Sequence, residues 1–180
     1  MRLFVAVKFT DEVKSRIRSV QEQLRSQASR GSFSRPENFH LTLAFLGETP
    51  KEKLEALSQI MEEIQRFQPA SFDISFNHAG FFTHSRKGLW WLGADKNSPG
   101  LPLLESIHRQ LIDRLDKEGF SVDKRPFNAH ITLAREVKHT SPIILDCPAI
   151  TIRVDHLSLM KSEHVRGVLT YTALAKRRWT

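Results

Sequence analysis

The feature that most constrains this chain is a four-residue pattern that occurs twice. His40-Leu41-Thr42-Leu43 lies in the first half of the sequence, and His130-Ile131-Thr132-Leu133 lies in the second. Side chains of a strand alternate between faces, so each histidine shares a face with its threonine while the two apolar residues turn the other way. Each copy is therefore predicted to be a strand that rests on a hydrophobic core and offers one imidazole and one hydroxyl to a cleft.

Chance accounts poorly for this repetition. With 8 histidines and 40% hydrophobic residues, a random chain would contain about 0.07 quartets of the form His-apolar-Thr-apolar. A near match, His156-Leu157-Ser158-Leu159, shows that a polar strand face can imitate the pattern. The remaining histidines are interpreted as surface or satisfied structural residues. They are His78, His84, His108, His139, His156 and His164.

Two imidazoles on one cleft suit acid–base chemistry at phosphorus, because the pKa of histidine lies near neutral pH. In an in-line attack, one imidazole takes a proton from water or a ribose hydroxyl and the other protonates the departing oxygen. The hydroxyls of Thr42 and Thr132 are predicted to donate hydrogen bonds to the non-bridging oxygens. This scheme needs no metal and no cofactor, and the sequence has neither zinc-ligand spacing nor a Gly-rich phosphate loop.

With these quartets, the chain resembles the two-histidine (2H) phosphoesterases, and in particular their RNA 2′,3′-cyclic phosphodiesterase or 2′-5′ RNA ligase-like branch. The resemblance runs nearly end to end, through residues 2–7, 36–47 and 125–135. One departure is Ala129, which stands where the branch usually has a proline. The resemblance implies an α+β fold, a two-lobed pseudo-symmetric arrangement of mainly antiparallel sheets with helices on the outside and a central cleft.

The resemblance also implies an activity: the opening of a terminal 2′,3′-cyclic phosphate of RNA to a 2′-phosphomonoester, without metal. Carried over by position, His40 is the proton donor to the 3′ oxygen and His130 is the base that activates water. The same groups working in reverse would give ATP-independent 2′-5′ ligation. The implied partners are RNA ends that carry the cyclic phosphate, tRNA fragments among them.

Three further groups of residues have more than one possible role from the sequence alone. Arg135 is a candidate for binding substrate, but strict alternation predicts it on the face opposite His130, so it helps only where the strand ends or bends. Of Trp90 and Trp91, only one can face the cleft and stack on a base. Lys176-Arg177-Arg178 is interpreted as a solvated tail.

Two other functions stay open at this point. One is a 2H hydrolase of a small cyclic nucleotide or a 2′-5′ oligonucleotide, and the other is a non-catalytic RNA-binding module whose histidines only contact phosphate. The net charge of +7 favours polyanions such as nucleic acid, although many basic proteins bind none.

Composition bounds the organisation of the chain. The single cysteine, Cys147, excludes an internal disulfide and fits a reducing compartment. No apolar run is long enough for a signal peptide or a membrane span. The sequence therefore predicts one domain of two lobes over residues 1–180, a cytoplasmic monomer with no membrane contact and no obligate protein partner.

Periodicity predicts the element order strand-helix-strand-helix-strand-strand-helix-strand-strand-strand. Thr10 is predicted to cap the first helix and Gly119 to end the third. The segments 29–37 and 82–87 are predicted to be loops and 151–160 a single strand. Residues 49–52 are predicted to form a capping box for the second helix, and Ser98-Pro99 to start the third.

Overall fold

The computed structural model describes residues 1–67, 70–82 and 88–179. Within these ranges the chain forms three α-helices and nine strands, with short 3-10 turns at Pro36–Asn38 and Lys51–Lys53. The helices are α1 (Asp11–Gln27), α2 (Leu54–Phe67) and α3 (Leu101–Lys117). The strands are β1 (Arg2–Lys8), β2 (Arg30–Phe33), β3 (His40–Glu48), β4 (Phe72–Phe82), β5 (Leu89–Ala94), β6 (His130–Lys138), β7 (Ile150–Val154), β8 (His156–Val165) and β9 (Val168–Arg178).

The strands form two antiparallel sheets. One has four strands in the order β3-β1-β8-β9, and the other has five in the order β2-β6-β5-β4-β7. The two motif strands, β3 and β6, belong to different sheets and contact each other. The two sheets therefore meet along the motif strands, and the predicted α+β fold with antiparallel sheets is confirmed.

The core lies between the helices and the sheet faces opposite the histidines. Leu41, Leu43, Ile131 and Leu133 are all buried in it. The histidine and threonine of each quartet are half-buried on the other face. Burial of the apolar pair thus decides which face of each strand carries the polar pair.

The helix ends follow the predicted signals in two places. The hydroxyl of Thr10 accepts a hydrogen bond from the Val13 N–H at 3.4 Å, which caps α1. Gly119 adopts a φ of +69° just after α3, a conformation that side chains with a Cβ disfavour. None of the helices within the described ranges has the length and hydropathy needed to cross a bilayer.

Two predictions about helix starts are wrong. Thr49 does not form a capping box, because its hydroxyl donates to the Gly47 carbonyl at 3.3 Å and α2 begins only at Leu54, after a 3-10 turn. Helix α3 begins at Leu101, because the Leu101 N–H closes a turn onto the Ser98 carbonyl first. Both errors come from local turns that intervene between the signal and the helix.

Three predictions about extended segments are also wrong. The predicted loop 29–37 contains β2, which pairs with β6 although its four residues show no apolar alternation. The predicted strand over 151–160 is two strands, β7 and β8, which join different sheets on either side of Asp155. Lys176-Arg177-Arg178 is no solvated tail, since it forms the end of β9. Of the predicted loop 82–87, Phe82 belongs to β4, and 83–87, with His84, lies outside the described residues.

Candidate active site

The two histidines are held by the same backbone device. The Nδ1–H of His40 donates to the carbonyl of Asn38 at 2.6 Å, and the Nδ1–H of His130 donates to the carbonyl of Asn128 at 2.7 Å. A carbonyl oxygen can only accept, so Nδ1 carries the hydrogen and Nε2 is the atom that gains or loses a proton. The asparagine two residues before each histidine was a visible signal that sequence reasoning missed.

Each motif strand also carries a bulge at the same place. In β3, Ala44 lies opposite Val5 while Thr42 lies opposite the next residue, Ala6, which leaves Leu43 as the extra residue. In β6, Leu133 is extra in the same way. The bulge reverses the alternation of side chains beyond it, so that Leu43 and Ala44, two neighbours in sequence, are both buried.

The bulge in β6 brings Arg135 to the face of His130, which corrects the prediction from strict alternation. The first half has Phe45 at the equivalent position, and it is 55% exposed. The positive charge of Arg135 is close enough to lower the pKa of both His40 and His130. The structure therefore brings together all five residues that the sequence singled out, since Thr42 and Thr132 share the histidine faces.

Aromatic rings flank His40. The ring of Phe4 lies 4.9 Å from the imidazole, and that of Tyr171 lies 5.2 Å away, edge-on. Phe4 and Tyr171 also contact each other at 5.0 Å. Neither was predicted from the sequence, because Phe4 reads as one apolar residue of a buried strand and Tyr171 lies far away along the chain.

The surroundings of His130 repeat this arrangement with other residues. Phe82 lies 5.5 Å from its imidazole and Trp91 lies 6.5 Å away, while the two aromatic rings are 5.0 Å apart. Trp91 is thus the tryptophan that faces the cleft. Trp90 is buried on the other face and stacks on Phe81 at 5.3 Å.

Burial keeps both imidazoles neutral in the free protein. It is the largest cause that lowers the pKa of His40 to about 4, with the charges of His130 and Arg135 acting in the same direction and the Asn38 carbonyl opposing them. The pKa of His130 is also lowered, mainly by burial and then by Arg135. At pH 7 the cleft therefore offers two neutral Nε2 atoms, two hydroxyls and one guanidinium.

The near-match quartet has a structural role. The His156 side chain is buried, its Nδ1–H donates to Asp155 at 2.5 Å, and its Nε2 accepts the backbone N–H of Lys8 at 3.3 Å. Ser158 is fully buried. Both ring nitrogens of His156 are occupied, which leaves it no free nitrogen for a substrate. Among the described residues, no group of three or more His, Cys, Asp or Glu side chains is placed to hold a metal ion.

Comparison with known proteins places these features in a family. The model of the 2′-5′ RNA ligase superfamily matches residues 9–166. A relative from Archaeoglobus fulgidus named RNA 2′,3′-cyclic phosphodiesterase is 36% identical over 147 residues, 81% of this chain and 78% of the relative. One of the same name from Escherichia coli (strain K12) is 33% identical, with 99% of this chain and 95% of the relative covered. The crystal structure of E. coli LigT complexed with 3′-AMP is similar at a TM-score of 0.83 and 29% identity, covering 99% of this chain and 98% of that one.

Proposed function

The chain belongs to the 2′-5′ RNA ligase superfamily, and we propose that it opens 2′,3′-cyclic phosphate ends of RNA to 2′-phosphomonoesters. Its relatives at 28–36% identity carry the name of that activity. The observation that carries the proposal is the pair of imidazoles, each tied at Nδ1 to a backbone carbonyl and each presenting Nε2 to one cleft.

The reaction assigns one role to each histidine. Nε2 of His130 accepts a proton from water as the water oxygen bonds to phosphorus, and Nε2–H of His40 protonates the 3′ oxygen as its bond to phosphorus breaks. The products are a 2′-phosphomonoester and a free 3′-hydroxyl. With a 5′-hydroxyl end as the nucleophile in place of water, the same proton transfers join two RNA ends through a 2′-5′ linkage, and the 3′ oxygen again leaves as a hydroxyl.

The threonines and the arginine stabilise the negative charge on the non-bridging phosphate oxygens. Thr42 and Thr132 lie on the histidine faces of two strands that contact each other, so their hydroxyls converge on the position between the imidazoles. Each donates a hydrogen bond to a non-bridging oxygen, and the guanidinium of Arg135 neutralises the negative charge held there.

The bound substrate raises the pKa of the two histidines and so favours their protonation. Neither imidazole is protonated at neutral pH in the free protein, because burial lowers the pKa of both. A phosphate anion bound between them raises both pKa values, since an opposite charge favours the charged form of a histidine. Binding therefore prepares the acid that the reaction needs.

The proposal extends to the setting of the reaction. We infer that residues 1–180 act as one domain of two lobes and as a monomer, in the cytoplasm, on RNA ends such as those of tRNA fragments. The net charge of +7 suits a polyanionic substrate, and a single half-buried cysteine fits a reducing compartment.

The test is to incubate the protein with EDTA, without ATP, and with an RNA oligonucleotide that ends in a 2′,3′-cyclic phosphate. The expected product is a 2′-phosphate end: its mass shows the addition of one water, and chromatography of the terminal nucleotide identifies the 2′ isomer. Activity that disappears in EDTA and returns with Zn²⁺ or Mg²⁺ would contradict the two-histidine mechanism. Turnover of cyclic mononucleotides alone would indicate a small-molecule hydrolase, and binding without turnover would indicate an RNA-binding module.

A further inference from the structure

One row of side chains crosses the whole four-stranded sheet on the face that carries His40. His40 lies opposite Lys8 on β1, and the Lys8 backbone N–H donates to the ring of His156 on β8. His156 in turn lies opposite Arg178 on β9. Residues directly opposite each other in antiparallel strands share a face, so Lys8 and Arg178 lie on the face of the reacting histidine.

The neighbouring row adds a third cation. Thr42 lies opposite Ala6, Ala6 lies opposite Ser158, and Ser158 lies opposite Lys176 on β9. Lys176 and Arg178 are therefore neighbours on this face, and both are exposed. We call Lys8, Lys176 and Arg178 the basic row.

The charge of the basic row is mostly uncompensated. Within the described part of the chain, the carboxylate whose charge reaches it is that of Asp155, which is already hydrogen-bonded to the ring of His156. None of the three cations forms an ion pair with a described residue. The pKa of Lys176 is lowered, mainly by burial and then by the charge of Arg178; Asp155 opposes this, and the charge of Lys8 adds to it.

The intervening arginine shows what a structural cation on this strand looks like. Arg177 points to the opposite face, where its guanidinium donates to Glu62 at 2.8 Å and to Ser58 at 2.6 Å on α2. Strand alternation thus separates one arginine that fastens β9 to a helix from two cations, Lys176 and Arg178, that have no such partner.

We propose that the basic row binds the backbone phosphates of the RNA that precedes the reacting 3′ end. The inference rests on the proposed function and specifies its substrate as an oligonucleotide rather than a mononucleotide. Arg178 lies three strands from His40, about 14 Å at the usual spacing of strands. A single nucleotide held at His40 leaves the far end of the row unfilled, whereas the next phosphates of a chain reach it and relieve the repulsion.

The test compares two variants that remove the same charge. In Lys176→Gln/Arg178→Gln the far end of the row is lost, while Arg109→Gln/Lys117→Gln removes two exposed cations of α3. The substrates are a 2′,3′-cyclic mononucleotide and a hexanucleotide that ends in the same group. In the first variant we expect the ratio of kcat/KM for the hexanucleotide to kcat/KM for the mononucleotide to fall about tenfold. The loss should appear as a higher KM for the hexanucleotide. The control variant should keep the ratio of the parent protein.

Binding provides a second measurement that does not require turnover. A labelled hexanucleotide with an ordinary 3′-hydroxyl end is titrated at several salt concentrations and followed by fluorescence anisotropy. Loss of two phosphate contacts to a single strand should reduce the slope of log Kd against log salt by about 1.4 in the first variant. The slope for the control variant should remain that of the parent protein.

The outcomes separate this inference from the proposed function. Equal losses in the two variants would show only general attraction of a basic surface and would overturn the inference. So would equal losses on both substrates, which would place Lys176 and Arg178 at the reacting phosphate. A parent protein that binds the hexanucleotide through the row but never opens a cyclic end would contradict the proposed function alone. Thermal denaturation confirms that each variant is folded.

Discussion

At the scale of single residues, the same carbonyl device holds two imidazoles in surroundings that differ. His40 lies between Phe4 and Tyr171, and its pKa falls to about 4, whereas His130 lies against Phe82 and Trp91 with its pKa lowered. Each imidazole therefore lies in its own aromatic surroundings, and burial there is the largest cause of its lowered pKa.

The first prediction is that His40→Ala and His130→Ala each reduce turnover of a cyclic phosphate end by about 10²–10⁴, the usual contribution of a general acid or base. The double variant should lose less than the product of the two, because the pair acts as one unit. Steady-state kinetics on one oligonucleotide measures all three. A double variant with the rate of the parent protein would move the chemistry elsewhere.

The matched control for this series is His139→Ala, since His139 is an exposed histidine whose Nδ1–H donates to the Ser141 carbonyl at 2.8 Å. His156→Ala is unsuitable as a neutral control. It would leave Asp155 and the Lys8 N–H without their partner in a buried place, at a cost of about 1–3 kcal/mol in stability.

The second prediction concerns pH and Arg135. The profile of kcat/KM reports the free protein, in which both histidine pKa values are lowered, so its optimum should lie below pH 6.5. Arg135→Gln removes a positive charge that disfavours both protonated rings. Both histidine pKa values should then rise, and the optimum of kcat/KM should move to higher pH. The value of kcat/KM at the optimum should also fall, because the guanidinium no longer neutralises the phosphate.

The comparison for Arg135 is Arg109→Gln on α3, which should leave the position of the profile unchanged. An Arg135→Gln profile that coincides with that of the parent protein would show that the guanidinium does not reach the imidazoles. The kcat profile, which reports the bound state, should lie at higher pH than the kcat/KM profile because the phosphate anion raises both pKa values.

At the scale of elements, the strand that presents Trp91 depends on two glycines. A Cβ at Gly80 would lie 2.5 Å from the Trp91 ring, and one at Gly93 would lie 2.6 Å from the same ring. The indole therefore lies flat across the backbone of β4 and β5, where only glycine leaves room. This close approach holds the Trp91 ring in place beside His130.

The third prediction is that Gly80→Ala destabilises the protein by about 1–3 kcal/mol, the usual cost of overpacking, and lowers turnover because the indole must move. Gly88→Ala is the matched control in the same hairpin, since its Cβ would meet nothing closer than 3.7 Å. Urea denaturation and kinetics measure both. Equal stability of the two variants would show that Trp91 is free to tilt away.

The elements also show how far the sequence reached. Alternation within His40–Leu43 and His130–Leu133 predicted the polar and the core faces correctly, because burial of one face requires that register. It failed at Arg135, because the extra residue of a bulge depends on how the neighbouring strand pairs. It failed at β2 for the same reason, since that strand has a partner in β6 but no apolar pattern of its own.

At the scale of the whole molecule, folding favours the neutral form of four histidines among the residues that the structure describes. Burial is the largest cause that lowers the pKa of His40, His108, His130 and His156. In the unfolded chain these rings titrate near pH 6.5. Below that pH the unfolded chain binds more protons than the folded one, so the free energy of unfolding must fall as the pH falls.

The fourth prediction is a melting temperature that decreases from pH 7 toward pH 4. The variant His40→Asn/His130→Asn removes two of the four groups and should show a shallower dependence, whatever its stability at pH 7. Thermal denaturation followed by circular dichroism over this range measures both slopes. Identical slopes would show that the site histidines are no less protonated in the folded protein than in the unfolded chain.

The twin bulges have a consequence for which isomer is formed. The two quartets place the same groups at the same distance before equivalent bulges, so the quartets alone give no reason for one ribose oxygen rather than the other to depart. One difference between the two strands lies just beyond the bulges, where β3 carries Phe45 and β6 carries Arg135. We therefore expect the isomer to be decided by residues outside the quartets. Exchanging the two residues, Phe45→Arg with Arg135→Phe, should yield a mixture of 2′- and 3′-phosphate ends in place of a single isomer, distinguishable by chromatography of the terminal nucleotide.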